Sequence, residues 1–147
     1  MKNNRRRIWN TVAGVGLSIL QCMPTATALP VADEAAIVAA VQRNVPQESL
    51  RPDFVRLLRA IRRAENGRLG REFGVMDSRA HDLDSQAGFC AATVYKVWLR
   101  WDAGVQGVGV PYLVALRDQY APIGAENDPT GLNENWLGNV VSFLENR

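Results

Sequence analysis

The clearest hydrophobic pattern in the chain is a helical one near its middle. Apolar side chains recur three and four positions apart and arginines take the opposite side: Phe54, Leu57, Leu58 and Ile61 against Arg56, Arg59, Arg62 and Arg63. This spacing predicts an amphipathic helix with one buried stripe. The helix should begin near Ser49 or Pro52 and end near Glu65 or Asn66, with Gly67 as its left-handed terminator.

Four further helices are predicted around this one, and no strand pattern competes with them. They cover residues 31–44, about 84–101 with Asp82 or Asp84 as cap, 111–120, and a last helix from about Asn133. Residues 68–82 contain Gly70 and Gly74 without a helical period, which predicts a short turn-rich or hairpin segment. The fold class is therefore mostly α, with about five helices.

Composition agrees with a single globular unit that builds its own core. The chain has 147 residues, of which 47% are apolar and 22% charged. At this length one hydrophobic core buries enough surface to fold without disulfides or a structural metal. Two cysteines and one histidine exclude a disulfide framework and a Cys-rich zinc site. We therefore predict neither a cofactor nor a metal site.

The first 28 residues have the order of a secretory signal peptide. Lys2 and three arginines precede an apolar run over residues 11–20, and Ala-Thr-Ala at 26–28 predicts cleavage after Ala28. Periplasmic or secreted localisation follows, with no stable membrane span, because so short a run cannot cross a hydrocarbon core of about 30 Å. A retained anchor and lipidation at Cys22 are the alternatives. Removing this segment takes four of the 17 basic residues and none of the 15 acidic ones, leaving a net charge of −2. Nucleic acid is then not an expected partner.

The apolar stripe of the central helix continues onto a carboxylate. Counting on from Phe54, Leu58 and Ile61, its next member is Glu65. Partial desolvation and the negative end of the helix dipole both disfavour the ionised form, so both should raise the pKa of this carboxyl group. A glutamate that stays protonated near neutral pH can act as a general acid. Alternatively, the helix end frays and Glu65 reaches solvent or pairs with a neighbouring arginine.

The residues around Glu65 resemble the start of a lysozyme-superfamily domain. The similar runs are residues 57–67 and 70–76, with a later one over 120–140. In soluble lytic transglycosylases and related glucosaminidases of that superfamily, a helix ends in the catalytic Glu, and a glycine-rich segment with a glycine–aliphatic–Met turn follows. The resemblance covers roughly residues 52–147. It implies that Glu65 is the acid and that residues 74–76 form the turn.

The chain also departs from that family's pattern. Asn66 stands where Ser is usual, Asp77 stands where transglycosylases carry Gln, and the family's Ala-Tyr-Asn-Ala-Gly segment is absent. A two-carboxylate lysozyme needs a second acid within reach, for which the candidates are Glu72, Asp77, Asp82 and Asp84. We take Glu72 as a helper. A single-acid mechanism assisted by the substrate's own acetamido group demands less of the protein, whereas a missing partner also fits loss of catalysis.

Candidate substrate-binding residues lie in the second half of the chain. A long polar connection offers amides for sugar hydroxyls and acetamides, namely Asn127, Asn133 and Asn135. The same stretch also fits simple turn chemistry, with Asn133 capping the last helix. Trp98 is a candidate stacking platform, although its place on an apolar stripe also fits core packing. Tyr120 is a candidate helper that hydrogen-bonds the acid, or an amphipathic residue at the core edge.

These features predict an exported, lysozyme-like helical protein that cleaves the glycan strand of peptidoglycan. Glu65 is the predicted general acid, with Tyr120 and Glu72 as helpers. Export and substrate agree, because peptidoglycan lies outside the cytoplasmic membrane. The predicted organisation is a signal peptide at 1–28, an N-terminal helix and linker at 29–50, and the lysozyme-like domain at 51–147. The alternatives are a non-catalytic exported protein that binds peptidoglycan or an envelope partner, and a domain with an unrelated ligand.

Overall fold

The structure is a computed structural model that describes residues 28–105 and 109–145. Its five α-helices are α1 (Val31–Asn44), α2 (Arg51–Glu65), α3 (Leu83–Asp102), α4 (Tyr112–Tyr120) and α5 (Trp136–Glu145). Short 3-10 turns over Glu48–Leu50 and Leu132–Asn135 lead into α2 and α5. The described ranges contain no strand, so the mostly α prediction with five helices is confirmed. The predicted signal peptide lies outside these ranges except for Ala28 and stays a prediction.

The predicted stripe of α2 forms the centre of the core. Leu58 and Ile61 are fully buried, and Phe54 is nearly so. On one side α1 packs against α2 and α3, and on the other α5 packs against α2 and α4. Within the described part of the chain, no helix has the length and apolar character needed to cross a bilayer.

The end of α2 differs by one residue from the prediction. The left-handed residue is Asn66, at φ 44°, and not Gly67. Asparagine tolerates this conformation because its short polar side chain finds local hydrogen bonds. Gly67 is needed for a different reason: a Cβ there would lie 1.7 Å from the carbonyl oxygen of Arg71. The glycine therefore permits a close backbone crossing immediately after α2.

The segment between α2 and α3 consists of turns, so the hairpin alternative was wrong. It ends at Asp82, which caps α3 as one of the two predicted aspartates. The Asp82 carboxylate accepts from the Ser85 backbone N–H at 2.8 Å, and the Ser85 hydroxyl accepts from the Asp82 backbone N–H at 3.1 Å. This reciprocal capping box satisfies free donors of the first turn.

At the other end of the chain, α5 begins at Trp136 rather than near Asn133, because the residues before it form a 3-10 turn.

The arginine side of α2 is tied to the beginning of α1. Arg62 donates from Nε to Asp33 at 2.7 Å, and Arg59 forms a bidentate pair with Glu34. Asp33 is buried although it belongs to the first turn of α1. These pairs tie the C-terminal half of α2 to the first turn of α1.

Candidate functional site

Glu65 is the last residue of α2 and is partly buried there. Its Oε1 accepts a hydrogen bond from the indole Nε1 of Trp136 at 2.7 Å. Its Oε2 lies against the backbone of Gly74, where an added Cβ would come within 2.2 Å of that oxygen. Burial raises the pKa of Glu65, and the hydrogen bond from Trp136 lowers it by a smaller amount. The pKa of Glu65 is therefore raised overall, as its position on the apolar stripe of α2 predicts.

A cleft of about 360 Å³ opens beside this carboxyl group. It is lined by the end of α2, the connection between α4 and α5, and the first turn of α5. Four of the predicted site residues line it together: Glu65, Asn127, Asn133 and Asn135. The other members of the lining are Ala64, Asp128, Leu132, Trp136 and Asn139. The cleft wall is therefore rich in side-chain amides, with one indole and two carboxylates.

The connection that lines the cleft is fixed by its own hydrogen bonds. The carboxylate of Asp128 accepts from the backbone N–H groups of Leu132 at 2.9 Å and Asn133 at 2.7 Å. Asn133 was predicted to cap the last helix, but its side-chain amide instead donates to the carbonyl of Pro122 at 3.0 Å. Turn chemistry and cleft formation thus use the same residues, because the turn places the neighbouring amides along the cleft.

Tyr120 does not hydrogen-bond Glu65 as the sequence suggested. Its hydroxyl donates to the backbone carbonyl of Phe73, and its ring packs against the ring of Trp136 with centroids 5.4 Å apart. Burial raises the pKa of the Tyr120 phenol well above its usual value, so the hydroxyl stays protonated at neutral pH. Tyr120 therefore contacts the Phe73 carbonyl and the Trp136 ring, and it is not part of the cleft wall.

Glu72 is also away from the cleft. The residue is only 4% exposed, its Oε1 accepts from the backbone N–H of Gly70 at 2.9 Å, and its Oε2 has no hydrogen-bond partner among the described residues. The other candidates for a second carboxylate have separate roles: Asp77 pairs with Arg79, Asp82 caps α3, and Asp84 pairs with Arg43. Within the described ranges, the second carboxylate on the cleft is that of Asp128.

Trp98 belongs to the core and not to the cleft. It is 7% exposed and packs against Phe54 and Tyr95, with ring centroids 6.2 and 5.8 Å away. The tryptophan at the cleft is Trp136, the first residue of α5. Trp136 belongs to the core and to the cleft, because its rings are buried while its indole Nε1 donates to Glu65.

The described residues contain neither a metal centre nor a reactive thiol. They contain no group of three or more histidine, cysteine or acidic side chains arranged to hold a metal ion. Burial raises the pKa of the Cys90 thiol to about 12, which leaves it protonated and a poor nucleophile. His81 is exposed on the turn before α3. Of the carboxylates predicted to be catalytic, Glu65 is the one that lines the cleft.

Comparisons with known proteins assign no family to this chain. No family model matches it, and no curated protein or solved structure does so either. The likeness of the sequence to the lysozyme superfamily therefore stands on its residues, and the function has to be inferred from the site itself.

Proposed function

We propose that this protein is exported and acts on the glycan strand of peptidoglycan, with Glu65 as the single general acid. The observation that carries the proposal is a carboxyl group of raised pKa at the edge of an amide-lined cleft. General acids that protonate a glycosidic oxygen have to hold their proton near neutral pH, and burial in a partly apolar site is the usual means. The resemblance of residues 57–67 to lytic transglycosylases points to the same residue.

The environment of Glu65 supports a reaction in two steps. In the first, Glu65 gives its proton to the glycosidic oxygen while the bond from that oxygen to C1 breaks. The acetamido oxygen of the same sugar forms a bond to C1, which makes a second enzyme carboxylate unnecessary. In the second step, a hydroxyl group of water or of the sugar itself attacks C1, the bond from C1 to the acetamido oxygen breaks and restores the acetamido group, and the Glu65 carboxylate takes the proton of the attacking hydroxyl. Hydrolysis gives a reducing end, and internal attack gives an anhydro end.

The cleft provides little support for a second catalytic carboxylate. Asp128 is the other acidic residue on its wall, but both of its oxygens accept backbone hydrogen bonds that hold the connection in place. A carboxylate used in this way is poorly placed to bond with a sugar carbon. This arrangement favours the single-acid mechanism, and it is also what a non-catalytic relative that only binds glycan would retain.

The amides of the cleft suit an N-acetylated sugar. In the described part of the chain, Asn127, Asn135 and Asn139 are exposed and make no side-chain hydrogen bonds. Each amide offers both donors and an acceptor, which match the hydroxyl and acetamido groups of amino sugars. Leu132 is 69% exposed at the rim and provides an apolar surface for a sugar face or an acetamido methyl group.

The test compares the wild type with Glu65→Gln on purified peptidoglycan. Clearing in a zymogram is expected for the wild type and is expected to be lost in Glu65→Gln. Glu48→Gln is a matched control, because Glu48 is an exposed carboxylate on the turn before α2. Mass spectrometry of the released fragments distinguishes anhydro ends from reducing ends. Equal clearing by wild type and Glu65→Gln contradicts the acid role. Retention of both forms on insoluble peptidoglycan without clearing favours the non-catalytic binder.

A further inference from the structure

Gln86 is a fully buried polar residue in the first turn of α3, and its side chain bonds five backbone groups. Its Oε1 accepts from the N–H groups of Phe73 at 3.3 Å and Val75 at 3.2 Å. Its Nε2 donates to the carbonyls of Gly70, Val75 and Ala80 at 3.2, 2.9 and 2.6 Å. A side-chain amide has two N–H donors and an oxygen with two lone pairs, so the three carbonyls share two N–H groups and the full capacity of the amide is used.

The bonds from Gln86 hold the backbone of the residues on both sides of Gly74. The residue before Gly74 and the residue after it both donate to Oε1 of Gln86. The N–H of Gly74 donates to the carbonyl of Arg71 at 3.1 Å, and the Tyr120 hydroxyl donates to the carbonyl before Gly74. Gly74 itself has φ +67°, a conformation that glycine adopts without strain. Its backbone is therefore held in one place by groups from α3 and α4.

Gly74 is also in contact with the carboxyl group of Glu65. An added Cβ at Gly74 would lie 2.2 Å from Oε2 and 2.6 Å from Cδ of Glu65. The glycine backbone thus lies against Oε2 of the carboxyl group, while the indole of Trp136 donates to Oε1. A carboxyl group covered in this way has fewer positions for water, and the turn can cover it only if its own path is fixed.

We propose that Gln86 is a positioning residue, which holds the Gly74 backbone against Glu65 and so keeps water from one side of the acid. The inference rests on the proposed function, because positioning matters to catalysis only if Glu65 is the acid. Gln86 does not line the cleft and contacts Glu65 only through the turn. Its effect is therefore indirect, and the state of the Glu65 carboxyl group is the quantity to measure.

Few groups near Glu65 change charge between pH 3 and pH 8. Burial raises the pKa of Cys90 on α3 to about 12 and raises that of Tyr120 on α4 well above its usual value, so both stay neutral. Trp136 on α5 does not titrate. The other carboxylates on the elements around Glu65 are Asp128, on the connection that lines the cleft, and the buried Glu72, on the turn before α3. A titration that disappears in Glu65→Gln is therefore assigned to Glu65.

The indole N–H of Trp136 is a direct reporter, because it donates to Glu65. Its signal in a proton–nitrogen correlation spectrum is followed from pH 3 to pH 8 in the wild type, in Gln86→Met and in Gln119→Met. Gln119 is an exposed glutamine on α4 and serves as the matched control. We expect the midpoint to fall in Gln86→Met toward 4.5, the ordinary value for glutamate, and to stay unchanged in the control. Amide hydrogen exchange of Phe73 and Val75 should accelerate at least about tenfold in Gln86→Met, since those N–H groups lose their acceptor.

The outcomes separate this inference from the proposed function. A raised midpoint that is the same in wild type and folded Gln86→Met overturns the positioning role and leaves the acid intact. A raised midpoint that falls in Gln86→Met, in a protein that clears no peptidoglycan, supports the positioning and contradicts the enzyme. A wild-type midpoint at 4.5 overturns both. If Gln86→Met does not fold, Gln86→Asn replaces it, since its amide is one methylene too short to reach the turn, and the same criteria apply.

Discussion

Gly74→Ala tests the contact between the glycine turn and the proposed acid without changing the acid. Two separate terms contribute to its effect on the free energy of unfolding. An alanine at φ +67° is strained by about 1–2 kcal/mol. Its methyl group would also overlap the carboxyl group of Glu65, with 2.2 Å to Oε2, so the flexible carboxyl end has to move.

The movement of the carboxyl group has its own consequence. Once Glu65 turns away from Gly74, the indole N–H of Trp136 loses its acceptor at 2.7 Å. Trp136 is 5% exposed, and a buried donor left without a partner is destabilising by about 1–3 kcal/mol. We therefore expect Gly74→Ala to lower the free energy of unfolding by about 2–5 kcal/mol in total.

Gly124→Ala is the matched control, because Gly124 has φ +74° and open space where its Cβ would lie. It should show the backbone strain alone, about 1–2 kcal/mol. Urea unfolding of both variants is then repeated in a Glu65→Ala background, where the overlap and the hydrogen bond are already gone. In that background Gly74→Ala should be no worse than Gly124→Ala. If the excess persists without Glu65, or if Gly74→Ala never exceeds its control, the contact described here is wrong.

Three further variants test other parts of the structure. Because folding raises the pKa of Glu65, the protonated carboxyl group contributes its full stabilisation below pH 4.5, and this is lost as the pH rises through the pKa of the folded state. Glutamine stays neutral at every pH. Glu65→Gln should therefore unfold at a higher temperature than the wild type at pH 7 and at a similar temperature at pH 4, as measured by calorimetry. Asp82→Ala removes the cap of α3 and should lower the midpoint of urea unfolding by more than Asp84→Ala, which removes an exposed ion pair with Arg43. Asp33→Ala leaves the largely buried Arg62 guanidinium without its carboxylate and should lower stability by about 3 kcal/mol; a loss below 1 kcal/mol would show that water replaces the pair.

The sequence predicts the helices well because their signals are local. The stripe of α2 depends only on which residues recur every three or four positions, and it extends to Glu65. The polar connection before α5 likewise places three of the predicted asparagines on the cleft. The prediction that Trp98 is a stacking platform was wrong, because Trp98 is buried against Phe54. A tryptophan on an apolar stripe can lie in the core or at the surface, and the packing of α3 against α2 decides between them.

The covering of the acid was not predicted, because it depends on contacts between distant parts of the chain. Trp136 reaches Glu65 across 71 positions, and no local pattern reports such a pair. Gln86 is different, since it lies four positions before Cys90 on the apolar side of α3. A polar residue on an apolar stripe is the same signal that singled out Glu65, and applying it to α3 would have found the residue that holds the turn.

The balance around Glu65 suits one residue that serves as acid and then as base. Burial alone would raise the pKa of the carboxyl group and make its anion costly to form, which helps it hold a proton but hinders its release. The hydrogen bond from Trp136 opposes this by stabilising the anion through a donor that is already in place. A single-acid mechanism needs both properties, because the same group gives up a proton in one step and takes one back in the next. In the proposed reaction, the turn held by Gln86 and the indole of Trp136 therefore act in opposite directions on one carboxyl group.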